Sequence, residues 1–366
     1  MNNEIQGAED LDEFQHRTNP HPEVIALRNQ LKGLDKVNEE LRKKLNFENL
    51  LVDKCRDAVV SYPPLKKNKV SFNLKDKEED EHACVLVLTD LHGEEVVDAD
   101  ETEGMIEFNW DIFQDRMWAV VDKTIKIVNT RRKARDIKKL YINLLGDIIT
   151  GEIHDELTRT NSFTRPTAVV NIAHVISQMI QVLSSHFEEV VVSGVAGNHG
   201  REDKKISAKQ YSERNWDTAI YRLCSMLTKN LKNVSWNITK SYAMVVNVLG
   251  NRILLKHGDD VRGGTHPFYP LIRDTAKEAD KRRGTPHEFD YIQQGHLHTW
   301  SVLENVRFLC PSLMGGSQYG NRLHLKSKPA VLLQFYTEKL REPANEIIDL
   351  RAKQKPHQFA NIPAWV

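Results

Sequence analysis

Five apolar runs in this 366-residue chain each end on a side chain able to ligate a metal ion. "VLVLTDLHG" closes on Asp90 and His92, and "INLLGDIITG" on Asp147. "EEVVVSGVAGNH" closes on Asn198 and His199, "LLKHGDD" on His257, and "YIQQGHLHTW" on His296 and His298. Short aliphatic runs bounded by glycine read as buried strands. One such ending would be an ordinary turn, since Asn and Gly favour turns. Five in order are hard to explain by packing, and in α/β sheets ligands bind beyond the carboxyl ends of strands.

Between the strands lie helical patterns at about 110–131, across "PTAVVNIAHVISQMIQVLSSH", and at about 206–231. This alternation predicts a layered α/β domain. The second half is richer in strands. "YAMVVNV" and "RILLKHG" flank Leu249-Gly250-Asn251, which predicts a tight hairpin. "FDYIQQG", "VRFLCPS" and "AVLLQFY" add strands with few helices between them, so a second, mixed sheet is expected.

The remaining chain divides by composition. Residues 1–21 are polar and read as a flexible N-terminus. A helical segment is expected over 22–60, where Val24, Leu27, Leu31, Leu34, Leu41 and Leu45 alternate at spacings of three and four, with Asn38 in the missing slot. That is a coiled-coil-like seam with an Asn that would fix register, favouring a homodimer through residues 22–50. The alternative is an amphipathic helix lying on its own domain. Residues 61–82 read as a linker, 83–340 as the main domain and 341–366 as a C-terminal tail.

Formal net charge is zero, with 51 basic and 51 acidic side chains, so any surface for a polyanion must be local. Cys55, Cys84, Cys224 and Cys310 are scattered and read as reduced cytosolic thiols. The acidic start "MNNEIQGAEDLDEF" has no apolar signal core, and no apolar run is long enough to span a bilayer. A soluble cytoplasmic protein without a membrane partner is expected.

Imidazole, carboxylate and amide oxygen together, without thiolate, suit a borderline divalent transition ion. His296 and His298, one residue apart, point to opposite sides of an extended segment and would serve two neighbouring ions more readily than one. Seven donors exceed the needs of one four-coordinate ion. They fit two ions that share a carboxylate.

The ordered set D-x-H, G-D, G-N-H, H and G-H-x-H, across roughly residues 83–300, resembles the calcineurin-like metallophosphoesterase superfamily. The order is similar to that in repair-type exonuclease subunits, and "GDIITGEIHDEL" and "HGDDVRGG" resemble phage-encoded members. The resemblance implies a four-layer αββα sandwich of two mixed sheets flanked by helices. It implies one ion on Asp90, His92, Asp147 and His298, and a second on Asp147, Asn198, His257 and His296. The cofactors would be two divalent ions, manganese first, with iron, zinc, magnesium or nickel as alternatives. His199 would face the substrate as general acid rather than bind metal. The implied activity is phosphodiester hydrolysis, with a nuclease acting on DNA as the leading reading in a bacterial or phage-infected cell. Alternatives are a small-molecule phosphodiesterase, a phosphoprotein phosphatase and a non-catalytic scaffold subunit.

Two positions depart from the family pattern. Gly200 stands where an acid often follows the Asn-His pair, so Glu202 or Asp203 would have to replace it, or His199 lacks a carboxylate partner. Thr150 stands where an Asp often follows G-D. Candidate substrate contacts are His154, Arg201, Arg262 and His266, each weighed against a purely structural role. Asp259 and Asp260 are candidates to orient His257. The basic run from Lys123 to Lys139 is a candidate phosphate-tracking face.

Overall fold

The computed structural model describes residues 26, 27, 29–39 and 81–361, apart from 154–155, 206–207, 262–266, 326 and 339–341. The N-terminus expected to be flexible (1–21), most of the 22–60 segment, residues 61–80 of the expected linker and residues 362–366 lie outside the described residues. So do His154, Arg262 and His266. The chain forms two units, Met1–Arg56 and Asp57–Val366. In the first, a helix over 26–39 leaves Leu27, Leu31 and Leu34 each more than half exposed.

The second unit holds two mixed sheets. Strands β1 (Glu81–Leu88), β2 (Asp136–Leu144), β3 (Glu189–Gly194) and β4 (Val234–Ile238) run parallel, in that order. Beside β1 lie β10 (Ala330–Thr337) and then β11 (Ala344–Asp349), both antiparallel to their neighbours. The second sheet has the order β5 (Ala243–Val248), β6 (Asn251–Lys256), β7 (Tyr291–Gln294), β9 (Arg307–Leu309), β8 (Ser301–Leu303). In it β6, β7 and β9 are parallel.

The faces of the two sheets meet in one apolar layer. Ala83, Val85 and Val87 of β1, alternate residues on one face, pack with Val246, Val248, Ile253, Leu255 and Phe308 of the other sheet. A buried amide chain also links the sheets: Asn143 donates to Gln293 (2.7 Å), which donates to Gln334 (2.6 Å). Helices α1 (Trp110–Arg131), α3 (Arg165–Ser184) and α4 (Trp216–Leu227) flank the first sheet. The remaining short helices are α2 (Leu157–Thr160) and α6 (Gln318–Arg322). By length and composition α3 could cross a membrane, contrary to the sequence expectation of no such run, but it is mostly buried within the domain as a core helix. Helix α5 (Phe268–Arg282) covers the second sheet through Leu271, which packs with Leu303 and Leu309. The architecture is the four-layer αββα sandwich.

Several expectations are corrected. The helix expected over 206–231 is confined to Trp216–Leu227, because the Asn215 side chain caps it by accepting from Asp217 N. Helix α5 escapes the apolar pattern because only Leu271, Glu278 and Arg282 are buried along it. Leu249 and Gly250 alone form the hairpin loop, both at positive φ (48° and 83°), and Asn251 pairs with Val248. The sheet continues beyond residue 340, since β11 is its edge strand. Beyond that, Ala360 N donates to Gln178 Oε1 on α3 (2.6 Å), so much of the expected tail docks on the domain.

The basic run lies away from the strand ends that carry the candidate ligands, and many of its side chains have other partners. Lys126 pairs with Asp122 and Arg131 with Glu346. Arg132 donates to the carbonyls of Ile137 and His186, and Lys138 pairs with Asp136.

Candidate metal centre

The loops that leave β1, β2, β3, β6 and β7 converge where the two sheets end. Asp90 N donates to Gly146 O, and His92 N to Asp147 O (both 3.1 Å), joining the first two loops. His199 N donates to Asp147 Oδ1 (2.7 Å), joining the third. His296 N donates to Asp90 Oδ2 (3.0 Å), which ties the second sheet to the first. Gly295 permits this approach, since a Cβ there would collide with Thr89 Oγ1 and come within 2.8 Å of Asp90 Oδ2.

All seven candidate ligands fall in or beside two clusters. Ligand atoms of Asp90, His92 and His298 lie within 4.8 Å of one another, and so do those of Asp147, His257 and His296. Asn198 Oδ1 sits 3.0 Å from His257 Nε2, which places the amide at the second cluster. The two clusters are joined by the bonds from His92 N to Asp147 O and from His296 N to Asp90 Oδ2.

Five of these residues hold left-handed backbone: Asp90, His92, Asp147, His296 and His298, with φ between 45° and 69°. Such conformations cost non-glycine residues of order 1–3 kcal/mol each and cluster at functional sites.

The donors are chemically ready for cations. His257 Nδ1 lies 2.8 Å from Leu145 O, and His298 Nδ1 lies 3.0 Å from Gly315 O. A carbonyl can only accept, so each Nδ1 carries the proton and Nε2 faces the carboxylates. Nε2 of His298 is 3.2 Å from Asp90 Oδ1, and Nε2 of His257 is 3.0 Å from Asp147 Oδ2. Burial opposes charge on both rings, but Asp147 beside His257 and Asp90 beside His298 outweigh it and raise both pKa values. Burial and nearby His199 push His92 down to about 3, so its ring is neutral. His92 Nε2 is buried without a hydrogen-bond partner. An acceptor left bare at such a site fits a bound cation.

His199 borders the first cluster, its ring 4.9 Å from that of His92 and edge-on to it. Its Nδ1 lies 2.9 Å from Thr150 O. Neither expected acid is placed to replace Gly200, because Glu202 and Asp203 both pair with Arg214. Asp260 pairs with Lys256 and Asp259 accepts from Tyr211, so Leu145 O orients His257 instead. Arg201 donates to the carbonyls of Asn198 (2.6 Å), Asp203 (3.0 Å) and Lys204 (3.1 Å), so its guanidinium braces its own loop.

Two buried acids escaped the sequence reading. Asp217, on the first turn of α4, accepts from the main-chain N–H groups of Asp147, Ile148, Ile149 and Gly197. Burial and the Asp147 charge push it up to about 6. Glu94 accepts from Gly151 N (2.9 Å), and burial pushes it up to about 8. Glu94 could have been suspected from its closeness to His92. Asp217 could not, because an acid in the first turn of a helix has an ordinary explanation in the helix dipole. A third acidic group, Asp260, Asp274 and Glu278, already surrounds the buried Lys256 ammonium and needs no metal.

The sequence matches no protein-family model and no curated protein. Among solved structures it is similar to an archaeal phosphodiesterase at 9% identity, over 72% of this chain and 99% of that one, with a TM-score of 0.31. It is similar to a predicted phosphoesterase from Streptococcus pneumoniae TIGR4 at 11% identity, over 75% and 94%, with a TM-score of 0.32. Zinc-complexed Vps29 from Entamoeba histolytica is similar at 14% identity, over 73% and 99%, with a TM-score of 0.29. The first two are phosphoesterases by description.

Proposed function

We propose that the chain is a two-metal phosphodiesterase whose substrate is nucleic acid, DNA first. The observation that carries the metal reading is the bare buried acceptor His92 Nε2, beside imidazoles whose Nε2 faces a carboxylate. Asp90, His92 and His298 would hold one ion, Asn198, His257 and His296 the other, and Asp147 both. When bound, two divalent ions activate water and neutralise charge on a phosphoryl group. Manganese suits the nitrogen and oxygen donors, with iron, zinc, magnesium or nickel as alternatives.

His199 supplies the proton. Thr150 O holds the Nδ1 proton of its ring, so the proton given to the departing oxygen would come from Nε2 of the cationic ring. The preference for nucleic acid is supported by the order of the motifs, which resembles repair-type nucleases.

A substrate panel tests the proposal. Purified protein loaded with manganese should cleave single-stranded or duplex DNA faster than cyclic nucleotides, a chromogenic diester or a phosphopeptide. Cleavage of monoesters alone would remove the nuclease reading. A scaffold would hold well under one ion per chain, which metal analysis after purification would reveal.

The exposed Leu27, Leu31 and Leu34 support a homodimer through residues 22–50. Deleting residues 1–60 should then halve the mass in solution, and an unchanged oligomer would exclude that contact. The reading as a cytoplasmic enzyme of a bacterial or phage-infected cell can be checked by fractionation.

A further inference from the structure

We infer that Asp217 is a positioning residue for the second of the two metal sites, acting through the main chain of the loops that carry Asp147 and Asn198. The inference rests on the two-metal reading.

The local sequence sets this up. Asn215 caps helix α4: its Oδ1 accepts from Asp217 N (2.9 Å) and its Nδ2 donates to Gly197 O (2.7 Å). An acid two residues into a helix normally faces solvent and the helix's own free N–H groups. Asp217 is instead fully buried and turns towards the loops after β2 and β3. Its Oδ2 accepts from Asp147 N (2.9 Å) and Gly197 N (2.8 Å), and its Oδ1 from Ile148 N (3.0 Å) and Ile149 N (3.3 Å). One carboxylate thus joins two loops that no covalent link holds at this point. Hydrogen bonds to an ionised acceptor are about twice as strong as neutral ones.

Gly200 belongs to the same arrangement. Trp216 N donates to Gly200 O (2.7 Å), so the helix start is seated against this loop. A Cβ at position 200 would collide with Asn215 Oδ1 and come within 3.0 Å of Asp217 Cγ. The space that a side chain at 200 would use is filled by the start of α4. Asp217, seventeen positions after Gly200, brings a carboxylate to the edge of that space.

The bonds fall unevenly on the two sites. Asp147 donates its own N–H to Asp217, and Gly197 immediately precedes Asn198. Asn198 belongs to the second set alone, and Asp147 to both. The hydrogen bonds of the Asp217 carboxylate reach none of Asp90, His92 or His298. Loss of the carboxylate should therefore loosen the second ion more than the first.

Calorimetric titration of manganese into the metal-free full chain, for wild type and Asp217→Asn, tests this below the melting temperature of both. Wild type should take up two ions. The variant should bind one ion about 10–100-fold more weakly, the usual effect of losing a residue behind the ligands, and lose less affinity for the other. Its kcat should fall at limiting manganese and recover with excess. A purely structural residue would lower Tm without moving the second Kd. Two ions bound as tightly as in wild type, or both weakened equally, would overturn the inference and leave the two-metal reading standing. A wild type that binds no metal would overturn the reading and the inference with it. If Asp217→Asn does not fold, Asn215→Ser keeps a helix cap but loses the bond to Gly197 O. It should show a smaller loss of the same selective kind, and unchanged affinities there would overturn the inference.

Discussion

The Nδ1 of His199 lies 2.9 Å from the main-chain carbonyl oxygen of Thr150. A carbonyl oxygen is an acceptor only, so the contact places the proton on Nδ1 in the neutral ring and makes Nε2 the exchanging position. A main-chain partner also means that the orientation does not depend on the identity of the side chain at 150. His199→Ala should therefore retain its metal while kcat falls about 10²–10⁴-fold, the usual worth of a general acid. Thr150→Ala, which keeps the carbonyl, should retain far more turnover. Metal analysis alongside steady-state kinetics checks both. Near-normal turnover in His199→Ala would end the role assigned to it.

Asp147 is the ligand whose loss should be felt most widely. Its Oδ1 accepts from His199 N and its Oδ2 faces His257 Nε2, so both oxygens are engaged. Asp147→Asn removes the charge and brings an amide N–H₂ into a space already supplied with donors. The variant should hold less than one ion per chain and lose activity in parallel, measured by elemental analysis on protein purified with manganese. Two ions retained would show that Asp147 does not bridge.

The alternation of strands and helices and the polar ends of the strands were legible because each depends on a short-range signal, whereas the αββα order came from the resemblance. A buried strand is an apolar run, and its C-terminal end is marked by glycine beside Asp, Asn or His. Helix α5 was not legible because it is tethered by one leucine and by charged residues that its sequence shares with any solvated helix. The left-handed φ values at Asp90, His92 and His298 are invisible in sequence, since nothing in a residue type announces strain. The role of Asp217 depends on contacts with residues 20 and 70 positions away. Arg201 reads as a phosphate contact in sequence but braces carbonyls in the fold, because the loop folds back on the guanidinium.

The described cysteines make a chemical prediction about the core. Cys84, Cys224 and Cys310 are buried and free. Burial pushes the Cys224 thiol up to about 12 and the other two higher still. Since the thiolate is the nucleophile, all three should resist a disulfide reagent in the folded protein and react at once in denaturant. Peptide mass analysis after labelling under each condition distinguishes them from Cys55. Fast native labelling at Cys224 would contradict the packing of α4 against α3.

Lys256, one residue before His257, is fully buried, and its ammonium lies 2.9 Å from Asp274 and 3.0 Å from Asp260. Arg307, also fully buried, donates to the same Asp274 oxygen at 2.6 Å. These bonds fasten α5 to the second sheet. Burial alone would raise the pKa of Asp274, but Lys256 and Arg307 outweigh it and hold it below the ordinary value of 3.8. A carboxylate with a depressed folded pKa stabilises the fold fully above its unfolded pKa, and the contribution is lost as pH falls through the folded value. Asp274→Asn should therefore cost about 3 kcal/mol near neutral pH, at the low end for breaking a buried pair because Asp260 and Glu278 remain beside Lys256. The gap between variant and wild type should narrow on acidification below the ordinary carboxylate range, as wild-type Asp274 also becomes neutral. Urea unfolding near neutral pH and at about pH 2–3 measures both stabilities on one scale. A gap of equal size at the two pH values would mean that Asp274 contributes through packing rather than through its charge.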